Sequence, residues 1–132
     1  MELELSRIII DEEKKEQIVV LKEKKGQRLL PIVIGITEAS AIKMKLSGFE
    51  PPRPLTHDLI SSILDNLGTR LEKVVIDNLI QGTFYAKLHL ALNGDIAKIV
   101  DARPSDSIAL AVRTKSPIFV TNQVFKKLNQ SG

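Results

Sequence analysis

Cysteine and tryptophan are absent from this 132-residue chain, and aromatic residues make up only 4% of it. Without cysteine there is no disulfide, no thiolate zinc site and no thiol nucleophile, and the chain suits a reducing, cytoplasmic setting. Histidine is nearly as scarce. His57 and His89 stand too far apart for any known zinc spacing. No apolar run approaches the roughly 20 residues that a membrane-spanning helix needs. Met1-Glu2-Leu3-Glu4-Leu5 is acidic and alternating, so it reads as a strand and not as a secretion signal. The sequence also lacks a Gly-rich phosphate loop, a G-x-S-x-G elbow and an aromatic stacking ladder. With so few rings, the core must be aliphatic.

What is present fits one domain over residues 1–132, with a frayed tail at 129–132. Apolar residues are 43% and charged residues 27% of the chain, ordinary values for a globular protein. The net charge of +3 is unevenly placed. No acid follows Asp106, while Arg113, Lys115, Lys126 and Lys127 lie beyond it, so the basic surplus is C-terminal. Such a surplus reads as a solvated tail or as a hold on a few phosphates.

β-branched runs predict strands at about 2–10, 16–25 and 28–34. Helical spacing predicts helices from Thr37 to about Leu46 and from Thr56 to Leu67, with Pro51-Pro52-Arg53-Pro54 as a stiff link between them. Strands at about 71–80, 83–92 and 95–101 follow, joined through Gln81-Gly82 and Asn93-Gly94. A helix from Pro104, a short strand at Pro117–Val120 and a helix from Thr121 complete the chain. Antiparallel groups of strands separated by helices predict an α+β fold: a bent, mostly antiparallel sheet with packed helices.

The segment Asp101-Ala102-Arg103-Pro104-Ser105-Asp106 places two carboxylates, a guanidinium and a hydroxyl where a strand gives way to a buried helix. Pro104 suits the first helical position, and Ser105 and Asp106 suit the first turn. Two-residue turns at Gln81-Gly82 and Asn93-Gly94 would set Asp77 and Asp101 on either side of Ala86, with Asp101 facing the core and paired with Arg103. A second polar group, Arg53, His57 and Asp58, opens another helix. A positive charge is disfavoured at a helix N-terminus, so the His57 ring is a candidate base or ligand there. Asp58, Asp101, Asp106 and Glu38 are candidate oxygen donors for Mg²⁺ or Mn²⁺.

Several segments together resemble the bifunctional nuclease (BFN) domain family. They are Pro31–Gly35, Glu38-Ala39, Arg53–Leu59, Gly82–Ala86, Asp101–Asp106 and Pro117–Val120, and the likeness runs over about residues 1–128. The resemblance implies an α/β roll that associates, as a homodimer, and a nuclease acting on DNA and RNA. It matches His57, Asp58, Asp101, Arg103, Ser105 and Asp106 to the family's polar positions, with Glu38 beside them. Asp77 is not part of that pattern.

The expectation is a phosphodiesterase acting on nucleic acid. His57, Asp58, Asp101 and Asp106 would be its catalytic residues. Arg53, Arg103 and Ser105 would bind substrate, and Asp101, Asp106 and Glu38 would hold the cation. The alternative is a non-enzymatic binding or regulatory module, in which the same polar residues lock two helix starts to a strand. A catalytic set opens into a cleft, whereas a lock is buried and fully paired.

Overall fold

The computed structural model describes the backbone of residues 1–92 and 96–130. The elements run β1 (Glu2–Asp11), β2 (Glu16–Glu23), β3 (Leu29–Ile34), α1 (Ile36–Ser47), α2 (Thr56–Asn66), β4 (Thr69–Ile80), β5 (Thr83–Leu92), β6 (Ile96–Ala102), α3 (Pro104–Thr114), β7 (Ile118–Val120) and α4 (Asn122–Gln130). The seven strands form one sheet in the order β3-β2-β1-β7-β4-β5-β6. It is an α+β fold with two antiparallel meanders, β1–β3 and β4–β6. The short β7 joins them, antiparallel to β1 and parallel to β4. That one parallel pairing makes the sheet mixed.

The core forms where the sheet's apolar face meets α3. β3 alternates strictly between exposed and buried positions, which turns Leu30, Ile32 and Ile34 inward. Val19, Leu21, Val74, Ile76 and Val120 meet them, and Ile108 and Leu110 of α3 fill the centre. The middle of α3, Ser107–Ala111, is wholly buried because its small residues, Ser107, Ala109 and Ala111, let neighbouring elements approach it. α1 and α2 both pack on α3. Three helix starts therefore gather at one end of the sheet.

Local chemistry explains the boundaries. Gly48 ends α1 in the left-handed conformation, with φ of 77°. Pro104 is the first residue of α3 and Arg103 its N-cap. α2 begins at Thr56, but Leu55 is its N-cap, and the Asp58 carboxylate accepts the Leu55 backbone N–H at 3.0 Å. Gln81-Gly82 is the expected two-residue turn, since Ile80 pairs with Thr83 and both turn residues have positive φ.

The strand register differs from expectation on both sides of β5. A bulge in β4 at Asp77 sets Ile76, not Asp77, opposite Ala86. Leu92 pairs with Ile96, which leaves three residues between the strands where two were expected. The Asn93-Gly94 turn itself lies outside the described residues. Each β5–β6 pair shifts by one, so Lys87 and not Ala86 faces Asp101. A slip of one residue exchanges the two faces of a strand. Asp101 therefore points to solvent, with its side chain 75% exposed, instead of into the core.

Candidate functional site

Each of the three gathered helix starts contributes to one polar network. Asp106, in the first turn of α3, sits at its centre. Its Oδ1 lies 3.0 Å from His57 Nε2 at the start of α2. Its Oδ2 accepts hydrogen bonds from Arg103 Nε at 2.9 Å and Nη2 at 2.8 Å. The same Nη2 donates to Glu38 Oε1 in the first turn of α1 at 3.1 Å, and Ser105 Oγ donates to that oxygen, also at 3.1 Å. One carboxylate thus bridges histidine to arginine, and the arginine bridges two carboxylates.

Second contacts hold these groups in place. Ser107 Oγ and the Ser107 N–H both donate to the Arg103 carbonyl, at 2.9 and 3.0 Å, which fixes the backbone from which the guanidinium springs. A Cβ at Gly35 would come within 3.0 Å of Glu38 Oε2, so the glycine leaves room for that carboxylate. Burial pushes the Asp106 carboxyl up, but the hydrogen bonds from His57 and Arg103 outweigh it and hold the group below its usual range. The Asp106 carboxylate, with Glu38 beyond it, pushes the Arg103 guanidinium further up.

The network is buried on one side and open on the other. Glu38, His57 and Ser105 are buried, whereas the Arg103 side chain is 69% exposed. Arg103 lines a cleft of about 520 Å³ between β3 and the β4–β5 turn. His57 lines a different groove of about 390 Å³, between α1 and the start of α2. Asp106 connects the two.

The structure therefore brings together His57, Arg103, Ser105, Asp106 and Glu38. Asp58 is next to them, but both its oxygens serve the frame. Oδ2 accepts the Leu55 N–H, and Oδ1 pairs with Arg113 Nε at 2.7 Å. Arg53 is exposed on the proline link and takes no part in the network. Asp101 stands apart, its partner being Lys87 at 3.3 Å and not Arg103. Asp77 also reaches Lys87, at 3.4 Å, so the two aspartates flank a lysine instead of an alanine.

Two contributors escaped the sequence reading. Arg113 is a pairing residue for Asp58 and not only part of a basic tail; its place two turns after Asp106 on α3 was the available signal. Ser107 is buried in α3 and gives its hydroxyl to the Arg103 carbonyl, a contact within the first turn that the residue type alone does not signal. No three His, Asp or Glu side chains among the described residues lie close enough to share a cation. Glu38 and Asp106 already share a guanidinium. Their oxygens do not fit a metal in this arrangement.

The fold and network define a small α+β domain whose polar residues converge at three helix starts. Comparison with known proteins then places it. The bifunctional nuclease domain model matches residues 19–131, and the chain belongs to that family. An uncharacterized protein of Mycobacterium tuberculosis is 43% identical over 131 residues, covering 99% of this chain and 76% of the relative. Bifunctional nuclease 1 of Oryza sativa subsp. japonica is 29% identical over 109 residues. Bifunctional nuclease 2 of Arabidopsis thaliana is 30% identical over 105 residues. These matches cover 80% and 77% of this chain but only 33% and 32% of the plant proteins. No helix among the described residues is long and apolar enough to cross a membrane.

Proposed function

We propose that this domain is a nuclease that hydrolyses phosphodiester bonds of DNA or RNA. The observation that carries the reading is the single Asp106 carboxylate shared between His57 and an Arg103 that opens onto a cleft. Family membership and the names of the plant relatives supply the reaction class.

Each residue then has a role its surroundings suit. Arg103 binds a non-bridging phosphate oxygen through Nη1, the nitrogen not engaged by Asp106 or Glu38. With Asp106 ionised, His57 Nε2 carries the proton toward it and Nδ1 is the basic nitrogen. A water held on Asp106 adds to phosphorus and passes its proton to that carboxylate, which the His57 Nε2–H steadies. The bond to the leaving sugar oxygen breaks, and that oxygen takes a proton from solvent. Glu38, held by the Ser105 hydroxyl, fixes the guanidinium, and Asp58 with Arg113 fixes the start of α2.

A divalent cation, Mg²⁺ or Mn²⁺, enters this reading only if Arg103 releases Glu38 and Asp106, and no step above depends on one. The expected homodimer and cytoplasmic setting also remain proposals; light scattering on the purified chain tests the first.

The non-enzymatic reading has its own support. Both Asp106 oxygens are already paired, as a lock requires. One experiment separates the two. Highly purified wild type, His57→Ala and Asp106→Asn are incubated with single- and double-stranded DNA and RNA, with and without EDTA. The nuclease reading expects cleavage by wild type and loss of at least a hundredfold in both variants. Equal trace cleavage by all three would mark contamination and leave the lock. Loss of cleavage in EDTA alone would establish the cation.

A further inference from the structure

We infer that the cleft at Arg103 binds one unstacked nucleotide of single-stranded nucleic acid, its phosphate on Arg103 and its base on the ring of Phe84. This rests on the nuclease reading and names the form of substrate that the reading leaves open.

The cleft is made by three segments distant in sequence: the end of β3, the β4–β5 turn and the start of α3. Among its described lining residues Arg103 is the only charged one. Glu38 and Asp106 hold the guanidinium without lining the cleft themselves. A ligand in the cleft therefore meets a cation, two hydroxyls from Thr83 and Ser105, and apolar surface. The guanidinium is already fixed, so binding through it loses little rotamer freedom.

The apolar part is where a base would go. Phe84 is half-buried and lines the cleft together with Ile32 and Val33. Base–aromatic stacking needs a π-face and tolerates any base. At about 520 Å³ the cleft falls within the range that holds small organic ligands, roughly 300–1,000 Å³. That accommodates a nucleoside with its phosphate but not the body of a duplex. A base must leave its stack to enter, which favours single strands. One guanidinium, already shared with two carboxylates, neutralises at most one phosphate, so binding should depend only shallowly on salt, with a log–log slope no steeper than about −0.7 for a single strand.

The test uses the full chain, isotopically labelled, titrated with the dinucleoside monophosphate ApA. Proton NMR reads the binding site, and phosphorus NMR reports whether ApA stays intact. The inference expects nuclear Overhauser contacts between adenine protons and the Phe84 ring. Phe84→Leu should weaken binding about tenfold. Because Phe84 also packs on the core, a pair of substitutions at the exposed Thr83 gives an independent reading. Thr83→Lys should tighten binding and Thr83→Glu should weaken it, each by about three- to tenfold. A blunt DNA hairpin should not compete for the site. The inference is overturned if contacts map to Lys115 or Lys126 instead, or if the two Thr83 variants bind equally. ApA seated on Phe84 with no polymer ever cleaved would keep the cleft and overturn the nuclease reading. Cleavage with no contact at Phe84 would do the reverse.

Discussion

Two clusters in this domain share one formula, a cation between two carboxylates, yet they are built differently. Arg103 lies between Glu38 and Asp106, and Lys87 between Asp77 and Asp101. The arginine cluster joins α1, α2 and α3, with contacts of 2.8–3.1 Å, and its Glu38 is buried. The lysine cluster joins adjacent strands already held by backbone hydrogen bonds. Its contacts are 3.3–3.4 Å, and Asp101 is open to water. A planar guanidinium addresses two carboxylates with separate N–H groups, whereas an ammonium is a point charge on a flexible stem. The difference teaches that charge count does not identify a site. What distinguishes the arginine cluster is that the fold needs it to join distant elements, and that one face of it still opens to a cleft.

Removing the cation from each cluster should give very different results. Arg103→Ala strands the buried Glu38 carboxylate with Ser105 as its one remaining side-chain partner among the described residues. The expected loss is about 2–3 kcal/mol, below the 3–5 of a fully buried pair because the guanidinium is largely solvated. The urea midpoint measures it. Adding Glu38→Gln to Arg103→Ala should restore part of the loss, since a neutral amide tolerates burial better. If Arg103→Ala costs no more than the corresponding change at Lys87, the contrast between the clusters collapses.

Much of this arrangement was legible in the sequence, for reasons that differ by residue. The start of α3 was readable because Pro104 at the first helical position and Asp106 in the first turn follow local rules. The meeting of His57 with Asp106 followed from two polar helix starts in a chain otherwise poor in such groups, and the structure places them 3.0 Å apart. Glu38 was legible as a candidate cation donor but not as the partner of Arg103 and Ser105, because that role depends on where α1 packs on α3. The register around β5 was not legible. A bulge at Asp77 and a longer connection after Leu92 are tertiary choices, and each reverses a face. That is why Asp101 was assigned to the core. Local rules located helix starts, while contacts across the sheet escaped them.

A smaller effect should appear in acid. The folded Asp106 carboxyl titrates below its ordinary value of 3.8. Its contribution is therefore fully present above about pH 4 and is lost as pH falls through the lower folded value. Wild type should lose urea resistance as pH falls from about 4 to about 2. Asp106→Asn should start about 1 kcal/mol lower at pH 7 and lose less over the same interval, because the amide does not titrate. Parallel curves for the two proteins would mean that Asp106 gains nothing from His57 and Arg103, against the geometry.

The lysine cluster should yield least. Burial works against the Lys87 charge, but Asp101 and Asp77 outweigh it and raise the ammonium above its ordinary value. The two partners are not equivalent. Asp77 Oδ1 is shielded from solvent without a hydrogen-bond partner among the described residues, whereas Asp101 is mostly solvated. Lys87→Met should cost up to about 1 kcal/mol, mainly through Asp77, and Asp101→Ala less than about 0.5 kcal/mol. Added salt should shrink the second effect further, since water already screens that pair. An Asp101→Ala variant that loses as much as Arg103→Ala would show Asp101 to be part of a joint between elements after all. It would then return Asp101 to the candidate site from which the shifted register removes it.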